Sequence, residues 1–550
     1  VMFALEWQLF GKNPFIGHLV NIILYGLLGL IIFNCLALLF GVKPHKKDKM
    51  FWLIWITAAL YIVHPIHTEA VANIKGRDEI MSMLGSMMAF WFLLKHLSDK
   101  KMKHLAAAGI SYFIALLSKE NAITFLGIIP LAFMLIRKQS FSRSIMSSWV
   151  LFASALAFLV LRFSVLGMDF GGTPNELMNN PFLKLAGNSY VDFSLHEKMA
   201  TITFTLGKYI QLMLFPHPLS HDYYPRAIDI MYFSDWRVIL SLAIYVSMIA
   251  GVFIAWKKDR YIAWGLAFYL LSLSIVSNIV FPIGTNMSER FLFMPSLGLL
   301  LVLGRLITQY IPQRLLLGIT AALILLLSAK TITRNTVWKN DFTLFTTDVQ
   351  KNTKSAKLLN AAGGALTNEA SKMADTAERT EYLQKAISYL EQAIDIHPTY
   401  RNAYLLLGNA HYYMANYERS IQYFDQSLKL DANFEDALKN LPIVLRDGGR
   451  YMGRQKQNYR KAEEWLLRSY QLNPQDYETC RLLGITYGIQ GLDSKAIEYF
   501  EKAIALRPDI AANYTSLGTA YINTGNKVKA KEAFDKAVEL DPNALQHLNK

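Results

Sequence analysis

Four short polar segments interrupt the long apolar runs of the first 330 residues. They are HPIHTEAVANIKGRDE at 64–79, SKEN at 118–121, LFPHPLSHDYY at 214–224 and FPIGTNMSER at 281–290. Polar groups at membrane depth are tolerated where they line a cavity between helices. The segments therefore predict a polar cavity at one face of a membrane domain, provided that they share one side of the membrane.

The basic residues of these segments suit a phosphate or pyrophosphate leaving group. The predicted phosphate-binding residues are Arg77, Lys119, Arg290, His64 and His67, with Arg162 as a further cation. Basic side chains at helix ends commonly extend to the interface and do nothing else, so one such residue alone indicates little. The sequence places four glutamates and four cations on one side of the membrane, and this number favours a phosphate-binding site over isolated helix-end residues.

The acidic residues could take part in proton transfer or orient these cations. The predicted catalytic carboxyls are Glu79 and Glu289, and the predicted orienting residues are Glu69, Glu120, Asp222 and Tyr223.

Other chemistries fit the same residues less well. His64, His67 and Glu69 could share a metal ion, but Pro65 prevents a regular helical pair and no third histidine ligand is evident, so we predict no metal. The chain has no G-x-S-x-G elbow, P-loop or dinucleotide fingerprint. A transporter with charged gating residues stays an alternative, although no inverted repeat is visible.

The elements that carry the polar segments are predicted membrane helices. A span needs roughly 20 apolar residues, and 53% of the 550 residues are hydrophobic. The predicted spans are 15–41, 50–63, 79–94, 104–117, 121–136, 147–166, 237–256, 262–282, 291–306 and 315–329.

Basic loops determine the predicted orientation. The loops at 42–49, 95–104, 136–143 and 256–260 are rich in Lys and Arg, which places them in the cytoplasm. All four polar segments and everything after Lys330 then face outward, and the helix at 200–215 should be re-entrant or interfacial. These loops also account for the net charge of +14, so we predict no nucleic-acid binding.

Helical hairpins with a fixed period follow the membrane part. Residues 475–508 and 509–542 each hold 34 residues with L-G-x-x-Y, a turn Gly, A-x-x-x-F and a final Pro. This is the tetratricopeptide signature, and 357–398, 399–432 and 433–474 fit it with insertions in the first and the last. Such hairpins stack into a solenoid with a concave groove for peptides or partner proteins. Residues that could line it are Asn402, Asn409, Tyr413, Asn513 and Tyr521, although any one of them could equally be a packing residue.

The predicted fold is therefore all-α, with a polytopic membrane bundle followed by an α-solenoid. We predict a membrane domain at 1–333, a linker helix at 334–356 and five extracytoplasmic tetratricopeptide repeats at 357–550.

An ordered set of motifs resembles one known family. NPFIGHLVNIILYGLL, HPIHTEAVANIKGRDE, LLSKENAITFLG, LMLFPHPLSHDYY, SNIVFPIGTNMSERFLFMPSLG and RNTVWKNDFTLFTTDV precede the repeats in this order. The chain is similar to the transmembrane and tetratricopeptide-repeat protein O-mannosyltransferases. The resemblance implies a C-type glycosyltransferase fold and inverting transfer of mannose or a similar hexose from a polyprenyl-phosphate donor to Ser or Thr of exported proteins. It implies no metal and no cofactor besides this lipid-linked substrate.

The resemblance also implies a carboxylate base in the first external loop. Here Glu6 is the only acidic residue of residues 1–13, and it does not match the usual acidic motif. We therefore expect the catalytic acid upstream of Val1.

Two alternatives to protein glycosylation stay open. The acceptor could be a glycan or a lipid, or the chain could be a non-catalytic membrane scaffold whose repeats dock secretion machinery. The predicted partners are the polyprenyl-phosphate sugar, membrane lipid, an exported polypeptide and the secretory translocon. Few cysteines and few N-x-S/T sites favour a bacterial inner membrane with periplasmic repeats, and the alternative is the endoplasmic reticulum with lumenal repeats.

Overall fold

The computed structural model describes residues 2–42, 48–167, 176–187 and 189–546. The chain divides into two compact units, Val1–Leu358 and Leu359–Lys550. Nearly all described elements are helices, and the described strands form one two-stranded hairpin. The all-α prediction is therefore confirmed.

The first unit contains the apolar helices. Its elements are α1 (Met2–Phe10), α2 (Pro14–Phe40), α3 (Lys49–Val63), α4 (Thr68–Ala72), α5 (Arg77–Asp99), α6 (Met102–Ser118), α7 (Phe125–Leu135), α8 (Phe141–Ser147), α9 (Trp149–Leu166), β1 (Leu183–Ala186), β2 (Ser189–Asp192), α10 (Leu195–Leu214), α11 (Trp236–Lys258), α12 (Arg260–Ser274), α13 (Ser296–Tyr310), α14 (Gln313–Val337) and α15 (Asp341–Asp348). The two strands pair antiparallel, with Leu183 opposite Asp192. Four 3₁₀ turns, at Pro65–His67, Ile74–Gly76, Glu120–Thr124 and Glu289–Leu292, lie in the polar segments.

Five of these helices are long and apolar enough to cross a membrane. They are α2, α9, α11, α14 and the stretch Ile74–Asp99, and α3 with Pro65–Ala72 makes a sixth if the bent pair is one span. Other predicted spans correspond to shorter helices, such as α6 and α13. These lengths and compositions fit a multi-pass membrane protein.

Local signals explain where the long helices begin and end. Asn13 caps α2 by accepting a hydrogen bond from the backbone N–H of Phe15, and Pro14 fits the first turn. The same helix ends at Gly41, whose φ of 70° is the left-handed conformation that glycine adopts without strain.

Close helix contacts at glycine hold the Glu289–Leu292 turn in place. A Cβ on Gly298 of α13 would lie 2.4 Å from the carbonyl oxygen of Gly265 in α12. The two helices can approach this closely only because both positions lack a side chain. The turn ends shortly before α13 begins, so this contact positions the helix that follows the Arg290 turn.

The helices of the tetratricopeptide region follow in regular pairs. They are α16 (Ala356–Ala370), α17 (Ala377–Ile396), α18 (Arg401–Tyr413), α19 (Tyr417–Leu430), α20 (Glu435–Arg454), α21 (Tyr459–Leu472), α22 (Tyr477–Ile489), α23 (Asp493–Leu506), α24 (Ala511–Asn523) and α25 (Lys527–Leu540).

One glycine–phenylalanine contact repeats within this second unit. A Cβ on the glycine would lie within 2.5 to 2.8 Å of the ring in each case, which only a residue without a side chain permits. The contact joins Gly408 to Phe424, Gly484 to Phe500 and Gly518 to Phe534. The spacing between glycine and phenylalanine is the same in all three pairs, which explains why the L-G-x-x-Y and A-x-x-x-F motifs recur together.

The segment at 334–356 differs from the predicted linker helix. Helix α14 continues to Val337, and a separate helix, α15, begins at Asp341. Asn340 starts α15 by accepting a hydrogen bond from the N–H of Thr343, so the break coincides with a capping residue. Both helices lie within the first unit.

Candidate functional site

Arg290 is a partly exposed cation beside a buried carboxylate. Its Nε is buried 3.7 Å from Oε1 of Glu69 and makes no hydrogen bond within the described part of the chain, whereas the side chain as a whole is 36% exposed. Glu69 is fixed independently, because Ser288 Oγ donates to its oxygens at 2.9 and 3.0 Å and the backbone N–H of Arg290 donates at 3.1 Å. The guanidinium is therefore held in place while part of its hydrogen-bonding capacity remains available.

Lys119 is a second cation in contact with buried acid. It follows α6, and its Nζ contacts Glu79 closely and lies 3.4 Å from Oδ2 of Asp78. Glu79 is 1% exposed, whereas Lys119 is 20% exposed. Glu79 also interacts electrostatically with Arg290. The structure thus brings Glu69, Glu79, Lys119, Glu289 and Arg290 into one region, which we call the ion cluster.

Glu289 has neutral rather than cationic hydrogen-bond partners. Its Oε1 accepts from the backbone N–H of Ser220 at 2.6 Å and from the hydroxyl of Tyr223 at 2.7 Å, and its buried Oε2 accepts no bond from the residues that the structure describes. Burial raises the pKa of Glu289 to about 8, against the lowering influence of Arg334 and with a further increase from Glu69. The carboxyl is therefore mainly protonated at neutral pH, and it ties the Ser220 loop to the turn that carries Arg290.

Arg77 has a different environment from Arg290. It is 2% exposed, and its Nε donates to Asn21 Oδ1 at 2.8 Å while one terminal nitrogen donates to the carbonyl of Gly17 at 3.1 Å. The rest of the guanidinium binds the carboxylate of Glu6. Every nitrogen is engaged by the protein, so donor binding by Arg77 stays a prediction that would require breaking these bonds.

The two predicted histidines are buried in a hydrogen-bond network. His64 Nε2 pairs with the carbonyl of Met213 at 3.1 Å, and its Nδ1 accepts from a backbone N–H. His67 pairs with the hydroxyls of Tyr25 at 2.8 Å and Ser296 at 2.9 Å. With all four ring nitrogens engaged, the geometry favours a structural role for this pair.

The remaining predicted residues of the first unit lie in two further contacts. Glu120 pairs with Arg162, and these side chains are 58% and 36% exposed. Asp222 Oδ1 accepts from the backbone N–H of Tyr224 at 2.6 Å, and its Oδ2 lies 3.5 Å from Nζ of Lys357. Asp222 therefore stabilises the loop that presents Tyr223 to Glu289.

A buried ion pair that the sequence did not predict lies at the end of the last apolar helix. Arg334 donates to both oxygens of Asp348 at 2.5 and 2.8 Å, and the backbone N–H of His221 donates at 2.9 Å. Burial alone would raise the pKa of Asp348, but the bonds from Arg334 and His221 hold it below its usual range. Arg334 and Asp348 lie in the RNTVWKNDFTLFTTDV motif and His221 lies in LFPHPLSHDYY, but their spacing alone does not indicate that they pair.

The predicted acceptor-binding asparagines pair across neighbouring helices of the second unit. Asn402 donates to Asn360 at 3.4 Å, and Asn440 donates to Asn409 at 3.2 Å. These contacts place amide groups along successive first helices of the repeats, where a bound peptide backbone could exchange with them.

The other predicted groove residues differ in exposure. Asn513 is 1% exposed, and its Nδ2 has no hydrogen-bond partner. Tyr521 is 8% exposed, and its hydroxyl donates to Glu501 at 2.7 Å. The carbonyl of Tyr413 accepts a bond from Arg379 at 2.8 Å. Acceptor binding by these residues stays a prediction.

Two protein-family models match parts of the chain. The tetratricopeptide repeat model matches residues 477–510 and 511–544. A model described as the plant-specific mitochondrial import receptor subunit TOM20 matches residues 345–478. The repeat assignment is therefore confirmed for the last two predicted repeats.

Curated relatives extend over most of the chain. Protein O-mannosyl-transferase TMTC3 of Mus musculus is 25% identical over 491 residues, covering 83% of this chain and 49% of that protein. Protein O-mannosyl-transferase TMTC1 of Homo sapiens is 28% identical over 447 residues, covering 74% and 48%. The chain spans about half the length of the curated relatives it matches. The resemblance found in the motifs is thereby confirmed.

Solved structures resemble part of the chain. YrrB, titled a TPR protein with an unusual peptide-binding site, is 20% identical with a TM-score of 0.29, covering 38% of this chain and 98% of that chain. A MamA structure is 22% identical with a TM-score of 0.26, covering 34% and 96%.

The organisms of the relatives bear on which cellular membrane was predicted for this chain. The proteins matched in Mus musculus, Homo sapiens and Drosophila melanogaster are animal proteins. They give no support to the predicted bacterial inner membrane, and they are consistent with the alternative of the endoplasmic reticulum.

Proposed function

We propose that this chain is a membrane glycosyltransferase that transfers a hexose from a polyprenyl-phosphate donor to Ser or Thr hydroxyls of exported proteins. The names of its relatives support transfer of mannose to protein oxygen atoms. The observation that carries the proposal is the partly exposed side chain of Arg290, which is held beside the buried carboxylate of Glu69.

The ion cluster suits the departure of a phosphate. In the proposed reaction the acceptor oxygen attacks the anomeric carbon, and the bond from that carbon to the phosphate oxygen breaks. The electron pair leaves with the polyprenyl phosphate, so negative charge accumulates on its oxygens. Arg290 and Lys119 would stabilise this charge, because hydrogen bonds from cations to phosphate are short and strong.

Buried carboxylates would orient the two cations. Glu69 is anchored by Ser288 and fixes Arg290, while Glu79 contacts Lys119. Because Glu79 already compensates a cation and Glu289 is bound by Ser220 and Tyr223, we assign both to positioning instead of the predicted proton transfer. A carboxylate base takes the proton of the acceptor hydroxyl. The family resemblance implies that this base lies in the first external loop.

The second unit would bind the polypeptide acceptor. Amide side chains such as Asn409 and Asn513 can donate to and accept from a peptide backbone without selecting a sequence. We place the external side in the lumen of the endoplasmic reticulum, as its animal relatives suggest.

The test is transfer by the protein purified with any residues that precede Val1, in lipid nanodiscs, because the carboxylate base is expected in the first external loop. Polyprenyl-phosphate mannose labelled in the sugar is incubated with a Ser/Thr-rich unfolded peptide, and mass spectrometry detects a hexose on the peptide. We expect labelled peptide with the wild-type chain and none with Arg290→Ala, with Arg314→Ala as a control from another part of the chain. Absence of labelled peptide with the wild-type chain would contradict the proposal and favour the scaffold alternative.

A further inference from the structure

A pocket lies at the end of α6 that is remote from Lys119, and we call it the distal pocket. Its volume is about 350 Å³, and it forms where α5 ends, α6 begins and the short helix α8 leads into α9. Helix α6 has 17 residues, so its axis is about 25 Å long. This length is close to the thickness of the hydrocarbon core of a bilayer. The distal pocket and the ion cluster therefore lie at opposite faces of the membrane domain.

The distal pocket lies at the level of lipid headgroups. It adjoins the end of the stretch Ile74–Asp99 and the start of α9, which are two of the helices long and apolar enough to cross a membrane. Trp149, which begins α9, lines the pocket and is 55% exposed. Tryptophan is enriched at the interface between membrane and water, because its ring is apolar except for one N–H group. The loops beside the pocket belong to the face predicted to be cytoplasmic, so the pocket opens towards the leaflet opposite the ion cluster.

The lining of the distal pocket is basic. Lys100, Arg143 and His96 contribute to it, and no aspartate or glutamate is among the described residues that line it. Lys100 and Arg143 are exposed, and neither side chain forms an ion pair with a residue that the structure describes. Asp99, which precedes Lys100, is engaged by two other basic residues. Two positive charges are therefore available to an anion at this pocket.

Hydroxyl groups and apolar side chains complete the lining. Ser140 Oγ accepts a bond from the backbone N–H of Arg143 at 3.4 Å, so its own proton can still be donated to a ligand. Ser142 is exposed and lines the pocket as well. Leu105 is 6% exposed, whereas Met146 is 70% exposed. Cations and hydroxyls suit a phosphate group, and an exposed apolar rim suits the first carbons of an acyl chain.

We infer that the distal pocket binds the headgroup of an anionic glycerophospholipid, with the phosphate at Lys100 and Arg143 and the acyl chains beside Met146 and Trp149. A free phosphate ester shares the recognition of phosphate by two cations, but it would leave the exposed apolar rim without a partner. A zwitterionic lipid fits less well, because its ammonium group would lie beside two cations. Anionic lipids are characteristic of the cytoplasmic leaflet, which is the leaflet predicted for this face.

This inference does not depend on the proposed function. The ligand is not the sugar donor, and it binds at the other end of α6. A wild-type chain that transfers sugar but binds no anionic lipid at the distal pocket would refute the inference and leave the proposed function standing. Binding at the pocket in a chain that transfers no sugar would refute the proposed function alone.

The test is photocrosslinking with the full chain in phosphatidylcholine nanodiscs that contain a trace of probe. The probe is phosphatidylglycerol with a diazirine on the acyl carbons next to its glycerol, and mass spectrometry of the digested protein locates the label. We expect label within residues 96–105 and 140–149, saturated by unlabelled phosphatidylglycerol and unaffected by inorganic phosphate.

Three outcomes would overturn the inference. Label spread evenly over the apolar helices would show that no site exists. Equal label at the pocket from phosphatidylcholine with the same diazirine would show that the negative charge is not recognised. Displacement of the probe by inorganic phosphate would assign the pocket to a soluble phosphate ester instead of a lipid.

Matched double variants test the two cations. Lys100→Gln with Arg143→Gln removes both from the lining, whereas Lys103→Gln with Lys138→Gln removes two exposed lysines of the same predicted face outside the lining. Lys100 and Lys138 have left-handed φ angles of 57° and 56°, so both double variants place one glutamine in that conformation. Labelling should fall about tenfold in the first and stay unchanged in the second, because bonds from cations to phosphate are strong.

A further variant tests the space without changing the charge. Ser142→Trp occupies the pocket from an exposed position on α8 and should also lower labelling about tenfold, because an overfilled site loses its ligand. Thermal unfolding identifies which of the variants are folded. Wild-type labelling of folded Ser142→Trp, or equal labelling of the two folded double variants, would contradict the inference.

Discussion

Two arginines of similar sequence context have different environments. Arg77 and Arg290 both lie at the end of a polar segment, just before an apolar run. Arg77 is saturated by Glu6, Asn21 and a backbone carbonyl, while Arg290 is 36% exposed with an unpartnered Nε. We expect the first to contribute mainly to stability and the second mainly to ligand binding.

Substitution of Arg77 tests this distinction. Arg77→Ala leaves the Glu6 carboxylate and the buried amide of Asn21 without their partner, so we expect a loss of about 3–5 kcal/mol in the free energy of unfolding. Arg290→Ala should change that free energy little, because its side chain is partly exposed. Thermal unfolding in detergent compares the two variants, and equal stability would contradict the assignment.

The pH dependence of stability tests the state of Glu289. Its pKa is raised from 4.5 to about 8 in the folded chain, so the folded state binds the proton more tightly than the unfolded state. The contribution to stability is complete below about pH 4.5 and is lost as pH rises towards 8, with an upper limit of roughly 5 kcal/mol.

Glu289→Gln provides the control for this titration. The glutamine keeps an acceptor for Ser220 and Tyr223 but cannot ionise, so the loss of stability between pH 5 and pH 8 should be smaller than in the wild-type chain. The difference between the two pH profiles of the unfolding temperature isolates Glu289 from other groups. Superimposable profiles would show that Glu289 does not titrate in this range.

At the scale of single residues, the sequence identified charged side chains of the candidate site but not all of their ion-pair partners. Glutamates and cations were expected to meet because the polar segments were placed on one side of the membrane, but the pairs Glu69–Arg290 and Glu79–Lys119 were not specified. The pairs Arg77–Glu6 and Arg334–Asp348 were not expected. Which of several cations meets which acid depends on helix packing, and local spacing does not encode it.

At the scale of helices, apolar runs predicted most of the elements. Helix α10 differs, because it begins at Leu195 and not near residue 200. Ser194 and Glu197 form a capping box at its start, and the S-x-x-E spacing of SLHE was the signal that could have located it. The strand pair and α1 were not predicted, because neither has a clear hydrophobic periodicity in the sequence. Each is short and depends on contacts with the rest of the unit.

The contact between α12 and α13 gives a prediction for these helices. Gly298→Ala would put a Cβ 2.4 Å from the carbonyl of Gly265, so the helices must separate and the Arg290 turn must shift. We expect a loss of about 1–3 kcal/mol in stability together with weaker donor binding.

A second glycine provides the matched control. A Cβ on Gly318 of α14 meets nothing within 4 Å, so Gly318→Ala should be neutral or stabilise by up to about 1 kcal/mol. Thermal unfolding and polyprenyl-phosphate labelling of both variants provide the measurement. A Gly298→Ala protein as stable as Gly318→Ala would contradict the close approach of the helices.

At the scale of the whole molecule, the change from apolar runs to a 34-residue period indicated two parts. The structure divides the chain between Leu358 and Leu359. Instead of one linker helix at 334–356, the structure has the end of α14 at Val337 and a separate helix α15, although the apolar pattern ends near residue 330. Hydropathy marks the end of an apolar surface, which is not the end of a helix.

The second unit should fold without the first. Its glycine–phenylalanine contacts and buried residues lie within its own helices, so a fragment of residues 355–550 should be soluble, helical by circular dichroism and cooperative in denaturant. A fragment that aggregates or unfolds without a transition would contradict the independence of this unit.

The most direct test of the account is the binding of the donor lipid by the ion cluster. Binding of labelled polyprenyl-phosphate mannose to the full chain in nanodiscs is measured for the wild type, Arg290→Ala and Arg314→Ala. The account predicts at least about a tenfold loss of affinity for Arg290→Ala, since a charge-assisted phosphate contact is worth about 1.5–3 kcal/mol, and wild-type affinity for Arg314→Ala. Wild-type affinity in a folded Arg290→Ala protein would contradict it.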